Sequence, residues 1–304
     1  MSLIDRAVVS TLPLVPKPIV RAVAQRYLAG TTIPDMVKTV AALNAHGMTA
    51  TVSVLGEHVE TREEAAESVR AFVESIEAIE ANGLNANVSV KPTQIGSKID
   101  PSLCEENLRK IIAAAEPRGR FVRIDMEDSS CTDATIALYR AVRRDHAKVG
   151  TVLQAYLRRS AADAAALAED GARTRVCKGI YSEPASIADH DREMIRENYM
   201  RLVEIFLRKK CYTAIATHDE VLVERSLRLV ESLGLPRDAY EFQMLLGVAE
   251  RMRARLVAAG HRLRVYVPFG PQWYPYSLRR LKENPRIARY VLAGMFRGRN
   301  SGRA

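Results

Sequence analysis

The sequence lacks the features that would take the chain into or across a membrane. No apolar stretch reaches the ~18 consecutive positions that a membrane-spanning helix needs. The N-terminus mixes apolar residues with Asp5, Arg6 and Lys17 and holds three prolines by position 18, which does not fit a secretory leader. With 47% hydrophobic and 27% charged residues, the composition is that of a globular protein. We therefore expect a cytoplasmic protein.

Residues that bind metals or form disulfides are few and widely spaced. The four cysteines, Cys104, Cys131, Cys177 and Cys211, lie at least 27 positions apart and form no CxxC pair. None of the six histidines belongs to an HxH pair at the end of a predicted strand. Zinc sites normally need such clusters. The sequence therefore predicts free thiols and no metal site, and it makes a metal-dependent hydrolase a weak alternative.

Acidic residues are scarce in the C-terminal part of the chain. From Arg279 to the end, eight lysines and arginines accompany a single acid, Glu283. This segment accounts for +7 of the net charge of +9, so the first 278 residues carry only about +2. The excess is a basic tail, and we expect no nucleic-acid partner. A binding barrel that uses the tail on nucleic acid is the non-enzymatic alternative, and weak contact with the inner face of a membrane is a minority interpretation.

A G-x-G-x-x-G motif, the mark of a doubly wound dinucleotide-binding sheet, is missing after the early strands. Instead, short β-branched runs alternate with helical patterns from residue 49 onward. Thr61 with Glu64 indicates one helix start, and Ser102 with Glu105 indicates another. The predicted strands are 49–56, 86–91, 120–126, 149–156, 173–179, 212–218, 240–245 and 263–268. Eight strand–helix units predict an α/β fold, a (β/α)8 TIM barrel.

The pattern divides the chain into three segments. Residues 1–47 hold two or three amphipathic helices broken at prolines. Residues 48–290 carry the predicted barrel as the catalytic domain, including a helix after the eighth strand. Residues 291–304 are the basic tail.

Polar residues recur at the C-terminal ends of the predicted strands, where barrel enzymes place their chemistry. A single lysine or glutamine there is often only a solvated rim residue, but the convergence of many favours a functional site. The strand ends supply Glu57, Lys91, Asp125, Glu127, Gln154, Tyr156, Arg175, Lys178, Thr217, His218, Asp219, Gln243 and Tyr266. We therefore predict an active site at this mouth of the barrel.

The helix predicted after the eighth strand has a polar face where an apolar one is usual. Tyr276, Arg279, Arg280 and Glu283 recur at i, i+3, i+4 and i+7, so they share that face. Two adjacent guanidiniums suit a carboxylate or phosphate, and Glu283 can orient them by ion pairing. The pattern therefore predicts an anionic substrate.

The segment from Tyr276 to Glu283 resembles the Tyr-x-x-Arg-Arg-x-x-Glu signature of the proline dehydrogenase family, in its compact monofunctional bacterial form. Other motifs of the family follow in order over roughly residues 45–290: VSVK with TQIG, RIDMED, GTVLQAY, R-x-C-K-G-x-Y, ATHD and FQML-x-G. The resemblance implies a distorted barrel that holds FAD at the strand C-termini. It also implies oxidation of L-proline to Δ1-pyrroline-5-carboxylate, with electrons passed on to a quinone.

The resemblance implies roles for individual residues as well. Asp125 and Arg175 would be catalytic, with Arg175 near the flavin N5 and Asp125 anchoring the Lys91 ammonium. The substrate-binding residues would be Lys91, Tyr181, Leu245, Tyr266, Tyr276, Arg279, Arg280 and Glu283. The cofactor-binding residues would be Met126, Gln154, Arg175, Lys178, Gly179, Ile180, Tyr181, Thr217, His218 and Gln243.

A few positions bear on specificity. Ile180 stands where family members usually carry alanine, beside the expected proline ring, while Pro92 and Cys177 replace more common aliphatic residues. Tyr266 occupies a position where hydroxyproline-oxidising relatives tend to have a small residue, which favours proline. Lys178 at a strand end also fits a class I aldolase that forms a Schiff base, and this is the enzymatic alternative.

Overall fold

The computed structural model describes Lys17, Val20, Arg21 and residues 25–56, 58–274 and 276–278. Its centre is a closed barrel of eight parallel strands joined in chain order, in which the last strand pairs with the first. The strands are β1 Thr49–Val54, β2 Ala86–Val90, β3 Val122–Ile124, β4 Val149–Gln154, β5 Thr174–Cys177, β6 Thr213–Ala216, β7 Tyr240–Leu245 and β8 Leu263–Phe269. Each overlaps a predicted run, so the predicted (β/α)8 barrel is confirmed.

Helices surround the barrel, and those that follow β1 connect successive strands. They are α1 Ile33–Ala45, α2 Arg62–Ala81, α3 Pro101–Ala115, α4 Thr132–Arg143, α5 Ser160–Glu169, α6 Arg192–Arg208, α7 Glu220–Ser232 and α8 Glu250–Ala258. Short 3₁₀ turns lie at Pro92–Ile95, Glu116–Arg118 and Ser129–Cys131. Within the part of the chain that the structure describes, no helix is both long and apolar enough to cross a membrane.

Local hydrogen bonds set where the helices begin. The Thr61 hydroxyl accepts from the backbone N–H of Glu64 at 3.2 Å, and the Glu64 carboxylate accepts from the backbone N–H of Thr61, so the predicted capping box is confirmed. The start predicted at Ser102 is wrong. Asp100 caps α3 instead and accepts from the backbone N–H of Ser102 at 2.8 Å. Asp100 takes this role because Pro101 fits the first helical position, where an N–H would have no partner.

Helix α1 lies in the outer layer beside β1 and β8. Its buried residues Met36, Val40 and Leu43 follow one another at i, i+4 and i+7, so they form one apolar stripe. Thr32 and Asp35 close a capping box at its start. The helix thus packs over the two strands at which the barrel closes.

The strand bodies alternate apolar and polar residues although both kinds are buried. In β3, Arg123 stands between two apolar residues, and in β7 Glu241 and Gln243 flank Phe242. Buried polar side chains from different strands form hydrogen bonds with one another across the barrel. Barrel interiors are usually filled by branched apolar side chains instead. The interior therefore holds a polar network beneath the mouth.

Candidate active site

A cavity of about 800 Å³ opens at the C-terminal ends of the strands. Its volume lies toward the upper end of the roughly 300–1,000 Å³ usual for ligand pockets. Fifteen of the predicted site residues line it: Lys91, Asp125, Met126, Gln154, Arg175, Lys178, Gly179, Ile180, Tyr181, Thr217, His218, Gln243, Leu245, Tyr266 and Tyr276. The remaining three, Arg279, Arg280 and Glu283, lie outside the described residues, as does Glu57. The structure therefore brings together every described residue to which the resemblance gives a role in catalysis or binding.

Arg175, on β5, lies at the floor of this cavity and is held from several sides. Its Nη1 donates to Asp125 Oδ1 at 2.6 Å, and its Nε donates to Gln243 Oε1 at 2.7 Å. The guanidinium also stacks over the ring of Tyr266, 5.3 Å from the centroid. Since these contacts come from three different strands or their ends, the cation has one fixed orientation.

The Asp125 carboxylate is fully engaged by its neighbours. Besides Arg175, Ser89 Oγ donates to it at 2.6 Å and the Tyr266 hydroxyl donates to it at 2.9 Å. Burial, followed by the charge of Asp125, raises the pKa of Tyr266 well above its usual value. Tyr266 is therefore a neutral donor, and Asp125 serves as an anchor for the groups around it.

Lys91 does not make the ion pair that was predicted for it. Among the described residues, the salt bridge of Asp125 is made by Arg175, and the Lys91 ammonium lies 3.4 Å from the carbonyl oxygen of Gly56. The prediction is wrong because Arg175 reaches Asp125 across the interior, while Lys91 lies at the start of the turn after β2. Lys91 is nonetheless buried and lines the cavity.

Two polar residues predicted at the mouth lie behind the cavity wall. The Glu127 carboxylate accepts from the backbone N–H of Thr93 at 2.9 Å and from its hydroxyl at 2.5 Å. Burial raises the pKa of Glu127, which the bonds from Thr93 and the nearby Lys91 charge oppose. Tyr156 is buried as well, with its ring under the backbone of Gly179. Both residues shape the wall from behind.

Gly179 allows the backbone to turn into the cavity wall. Its φ is +111°, and a Cβ there would lie 2.0 Å from the Tyr156 ring. Only glycine fits such a conformation at so close an approach. The next two residues, Ile180 and Tyr181, line the cavity, and 46% of Ile180 remains exposed. Much of the Ile180 side chain is therefore not covered by other protein groups, and its place beside the proline ring stays a prediction.

A second charged cluster forms another part of the cavity wall. Its centre is Asp219, the N-cap residue of α7. Lys178 Nζ donates to its carboxylate at 2.5 Å, and Arg196 donates through Nε at 2.9 Å and Nη2 at 2.8 Å. Burial opposes the charge, but the bonds from Arg196 and Lys178 hold the pKa of Asp219 well below its usual value. Lys178 is thus one member of an ion-paired cluster.

His218 is oriented by the strand next to it. Its Nε2 accepts from the backbone N–H of Leu245 at 2.8 Å, so a neutral ring carries its proton on Nδ1. The bond ties the end of β6 to the end of β7. This arrangement places both residues on the cavity wall.

Sequence reasoning missed several lining residues on the helices that follow β5 and β6. They include Arg192 and Arg196 in α6 and Glu220 and Val221 in α7. A search restricted to strand ends does not find them, because they lie on helices. One signal was available in the sequence. Two arginines at i and i+4 near the start of a helix are unfavourable, because the helix dipole places partial positive charge there. Such a pair suggests that the arginines have a role other than stabilising the helix.

The cysteines are free thiols, as predicted. Cys104, Cys131 and Cys211 are buried, while Cys177 is half-buried and lines the cavity. Burial raises the pKa of Cys177 to about 11. No group of three or more histidine, cysteine or acidic side chains that could hold a metal occurs among the described residues.

Sequence comparison with known proteins gives a consistent answer. The family model described as proline dehydrogenase matches residues 36–291. The chain belongs to the proline dehydrogenase family. It is 38% identical over 280 residues to proline dehydrogenase of Deinococcus radiodurans, covering 90% of both chains. It is 36% identical over 274 residues to proline dehydrogenase 1 of Bacillus subtilis subsp. natto, covering 90% of this chain and 91% of that one.

Solved structures support the fold of this proline dehydrogenase family member. Proline utilization A from Bdellovibrio bacteriovorus, inactivated by N-propargylglycine, superimposes with a TM-score of 0.81 at 24% identity. The match covers 87% of this chain and 33% of that one. Proline utilization A from Corynebacterium freiburgense gives a TM-score of 0.75 at 21% identity, over 96% of this chain and 35% of that chain. The chain thus spans about a third of the length of these larger proteins.

Proposed function

We propose that this chain oxidises L-proline to Δ1-pyrroline-5-carboxylate, with bound FAD as the hydride acceptor and a quinone as the next electron acceptor. The observation that carries the proposal is the shared cavity. It gathers all fifteen described residues to which the family resemblance gives a role in binding substrate or cofactor. These side chains come from seven of the eight strands, β2 to β8, or from the segments that follow them, and all of them face one cavity.

The donor set of the cavity fits a dinucleotide. Among its described lining residues there are five basic side chains (Lys91, Arg175, Lys178, Arg192 and Arg196) and three acidic ones (Asp125, Asp219 and Glu220), an excess of two positive charges. Such an excess suits a pyrophosphate. Apolar lining residues, among them Met126, Val152 and Met244, suit a ring system. The volume also exceeds what proline alone would need.

The chain's own residues would hold and orient the reactants. When bound, FAD supplies the acceptor for the hydride, and the protein contributes position and charge. Arg175 presents a fixed cation at the cavity floor, held by Asp125 and Gln243. Lys91 would bind the proline carboxylate together with Arg279 and Arg280, which remains a prediction because both arginines lie outside the described residues.

An absorption spectrum of the purified protein tests the proposal. Oxidised flavin bands are expected, and they should bleach when L-proline is added without oxygen. A colourless protein that borohydride traps with a ketone substrate would instead support the aldolase alternative. The geometry speaks against that alternative, since Lys178 is ion-paired with Asp219 whereas a Schiff-base lysine must react as a neutral amine.

Substitution of Arg280 tests the predicted carboxylate site. In Arg280→Met the Michaelis constant for proline should rise by about one to two orders of magnitude, because a hydrogen bond to a charged group contributes roughly 1.5–3 kcal/mol. Flavin content should stay near that of the unsubstituted protein. Unchanged kinetics in a folded Arg280→Met variant would remove Arg280 from the site.

The electron acceptor and the location of the protein belong to the same proposal. We expect a cytoplasmic protein whose basic tail gives at most weak contact with an anionic membrane surface. Reduction of a soluble quinone that depends on proline would support the acceptor. Salt-sensitive binding to anionic vesicles that is lost on removal of residues 297–304 would support the contact.

A further inference from the structure

Glu241 and Arg264 form a buried ion pair that lies beneath the cavity without lining it. Arg264 Nε lies 2.9 Å from both carboxylate oxygens of Glu241, and its Nη1 donates to the carbonyl oxygen of Ala50 at 2.7 Å. Only 4% of the Glu241 side chain is exposed. Burial opposes its charge, but Arg264 and the bond from Gln243 hold the pKa of Glu241 below its usual value. An ionised carboxylate therefore stands inside the barrel.

This carboxylate decides how Gln243 is oriented. Glu241 and Gln243 are two residues apart on β7, so both side chains point to the same side of the strand. Gln243 Nε2 donates to Glu241 Oε1 at 2.6 Å, and Gln243 Oε1 accepts from Arg175 Nε at 2.7 Å. A carboxylate only accepts and a guanidinium only donates. The opposite orientation of the amide would thus lose both bonds and set like groups against each other.

We infer that Glu241, held by Arg264, is a positioning residue for Arg175 and acts through the side-chain amide of Gln243. The chain of contacts runs from β8 through β7 to the guanidinium at the cavity floor. The inference rests on the proposed function in one respect: it assumes that Arg175 takes part in the oxidation of proline. The orientation of Arg175 itself can be measured independently of that function.

Two variants remove the contact between Glu241 and Gln243 in different ways. Glu241→Asp keeps the negative charge beside Arg264 but withdraws the carboxylate by one methylene from Gln243. Glu241→Met combined with Arg264→Met removes both charges and the acceptor for Gln243 at once, so that no unpaired ion is left buried if a single variant fails to fold. Thr51→Val is the matched control, because it removes a different buried bond, the 2.6 Å contact from Thr51 Oγ to Asn87 Oδ1.

The first measurement is hydrogen exchange at Arg175 Nε–H, followed by ¹⁵N NMR and assigned by loss of the signal in Arg175→Lys. We expect exchange to become about tenfold faster or more in Glu241→Asp and in the neutral double variant, because the Gln243 acceptor is no longer held in place. In Thr51→Val the rate should stay within about twofold of the unsubstituted protein. An unchanged rate in both Glu241 variants would overturn the inference.

The second measurement is the kinetics of proline oxidation by the flavin-loaded protein. A positioning role predicts that kcat falls about tenfold in Glu241→Asp while KM for proline changes less than about twofold. A change confined to KM would count against the inference. If the unsubstituted protein bound no flavin and ignored proline, the proposed function would fail, while the exchange experiment would still decide whether Glu241 orients Arg175.

Discussion

Arg175 shows how a single buried residue depends on several strands. It pairs with Asp125 at 2.6 Å, donates to Gln243 and stacks on Tyr266. A buried cation needs such partners, because an uncompensated charge in the interior costs several kcal/mol. The residue predicted to be catalytic is therefore also a residue on which the packing of the barrel interior depends.

Coupling between Asp125 and Arg175 can be measured with a double-mutant cycle. Asp125→Asn and Arg175→Gln should each lower the free energy of unfolding by roughly 3–5 kcal/mol, because each leaves the other group without its partner. The double variant should lose clearly less than the sum. Urea unfolding gives all four values.

Lys91→Met supplies the control for that cycle. Lys91 and Asp125 line the same cavity but make no salt bridge with each other, so the coupling between Lys91→Met and Asp125→Asn should be weaker than the coupling between Asp125→Asn and Arg175→Gln. Strong coupling between these two, and none between Asp125 and Arg175, would contradict the pairing described above.

Gly179 offers a second test at the same scale. Gly179→Ala should destabilise the protein strongly, because φ is +111° and the new Cβ would meet the Tyr156 ring at 2.0 Å. Gly83→Ala is the control: φ is +59°, but nothing lies within 4 Å of its Cβ, so only the backbone cost of about 1–2 kcal/mol applies. Thermal unfolding measures the stability of both variants. Equal losses of stability would show that the Tyr156 ring moves aside at little energetic cost.

Sequence reasoning found residues of the cavity wall where a polar residue interrupted an apolar strand end. Lys91, Gln154 and Gln243 were found in this way, and all three line the cavity. The ion pairs within the site were harder to predict. Asp125 was assigned to Lys91 because their strands are neighbours, but Arg175 on β5 reaches it across the interior. Sequence order gives no measure of that cross-barrel distance.

At the scale of secondary-structure elements, the start of α7 links stability to pH. Asp219 caps the helix and binds Lys178 and Arg196, which hold its pKa below the usual value. A lowered pKa stabilises the folded state above the unfolded pKa of about 3.9, and this contribution is lost as pH falls below it. The stability difference between the unsubstituted protein and Asp219→Asn should therefore be constant from about pH 8 to 5 and shrink below about pH 4. Urea unfolding across this range measures it, and a difference that grew on acidification would contradict the ion pairs.

Substitutions at the start of α3 distinguish between Asp100 and Ser102 as the capping residue. Asp100→Ala should lower the free energy of unfolding, because the bond from the backbone N–H of Ser102 is lost. Ser102→Ala should change stability by less than about 0.5 kcal/mol, since its side chain does not cap the helix. A larger loss in Ser102→Ala than in Asp100→Ala would favour the start that the sequence pattern indicated.

The elements themselves were predictable because their patterns are local. The 240–245 run is confirmed to the residue as β7, and Thr61 with Glu64 marked the start of α2. The cap of α3 was mistaken because Ser102 also fits a cap, and only the position of Pro101 separates the two possibilities. The roles of Arg192 and Arg196 depend on how α6 packs over the mouth, which no local pattern encodes.

At the scale of the whole molecule, the integrity of the barrel depends on its last strand. β8 pairs with β1 over six register positions, compared with three between β1 and β2. A chain ending at Gly260 should therefore lose cooperative thermal unfolding and near-ultraviolet circular dichroism, because β1 and β7 would each have an open edge. Val267→Ala, which keeps the ladder and only reduces packing, should unfold cooperatively at a lower temperature. Cooperative unfolding of the shortened chain would show that seven strands suffice.

The same pairing of β1 with β8 has a consequence for synthesis on the ribosome. The two strands are separated by more than 200 residues, so β1 is made long before its main partner emerges from the exit tunnel. At a translation rate of roughly 5–20 residues per second, the edge of β1 waits on the order of ten seconds or more. During that interval the nascent chain presents an unpaired parallel strand to any neighbouring polypeptide. Expression yield should therefore depend on whether chaperones shield the growing chain until residue 269 has been released.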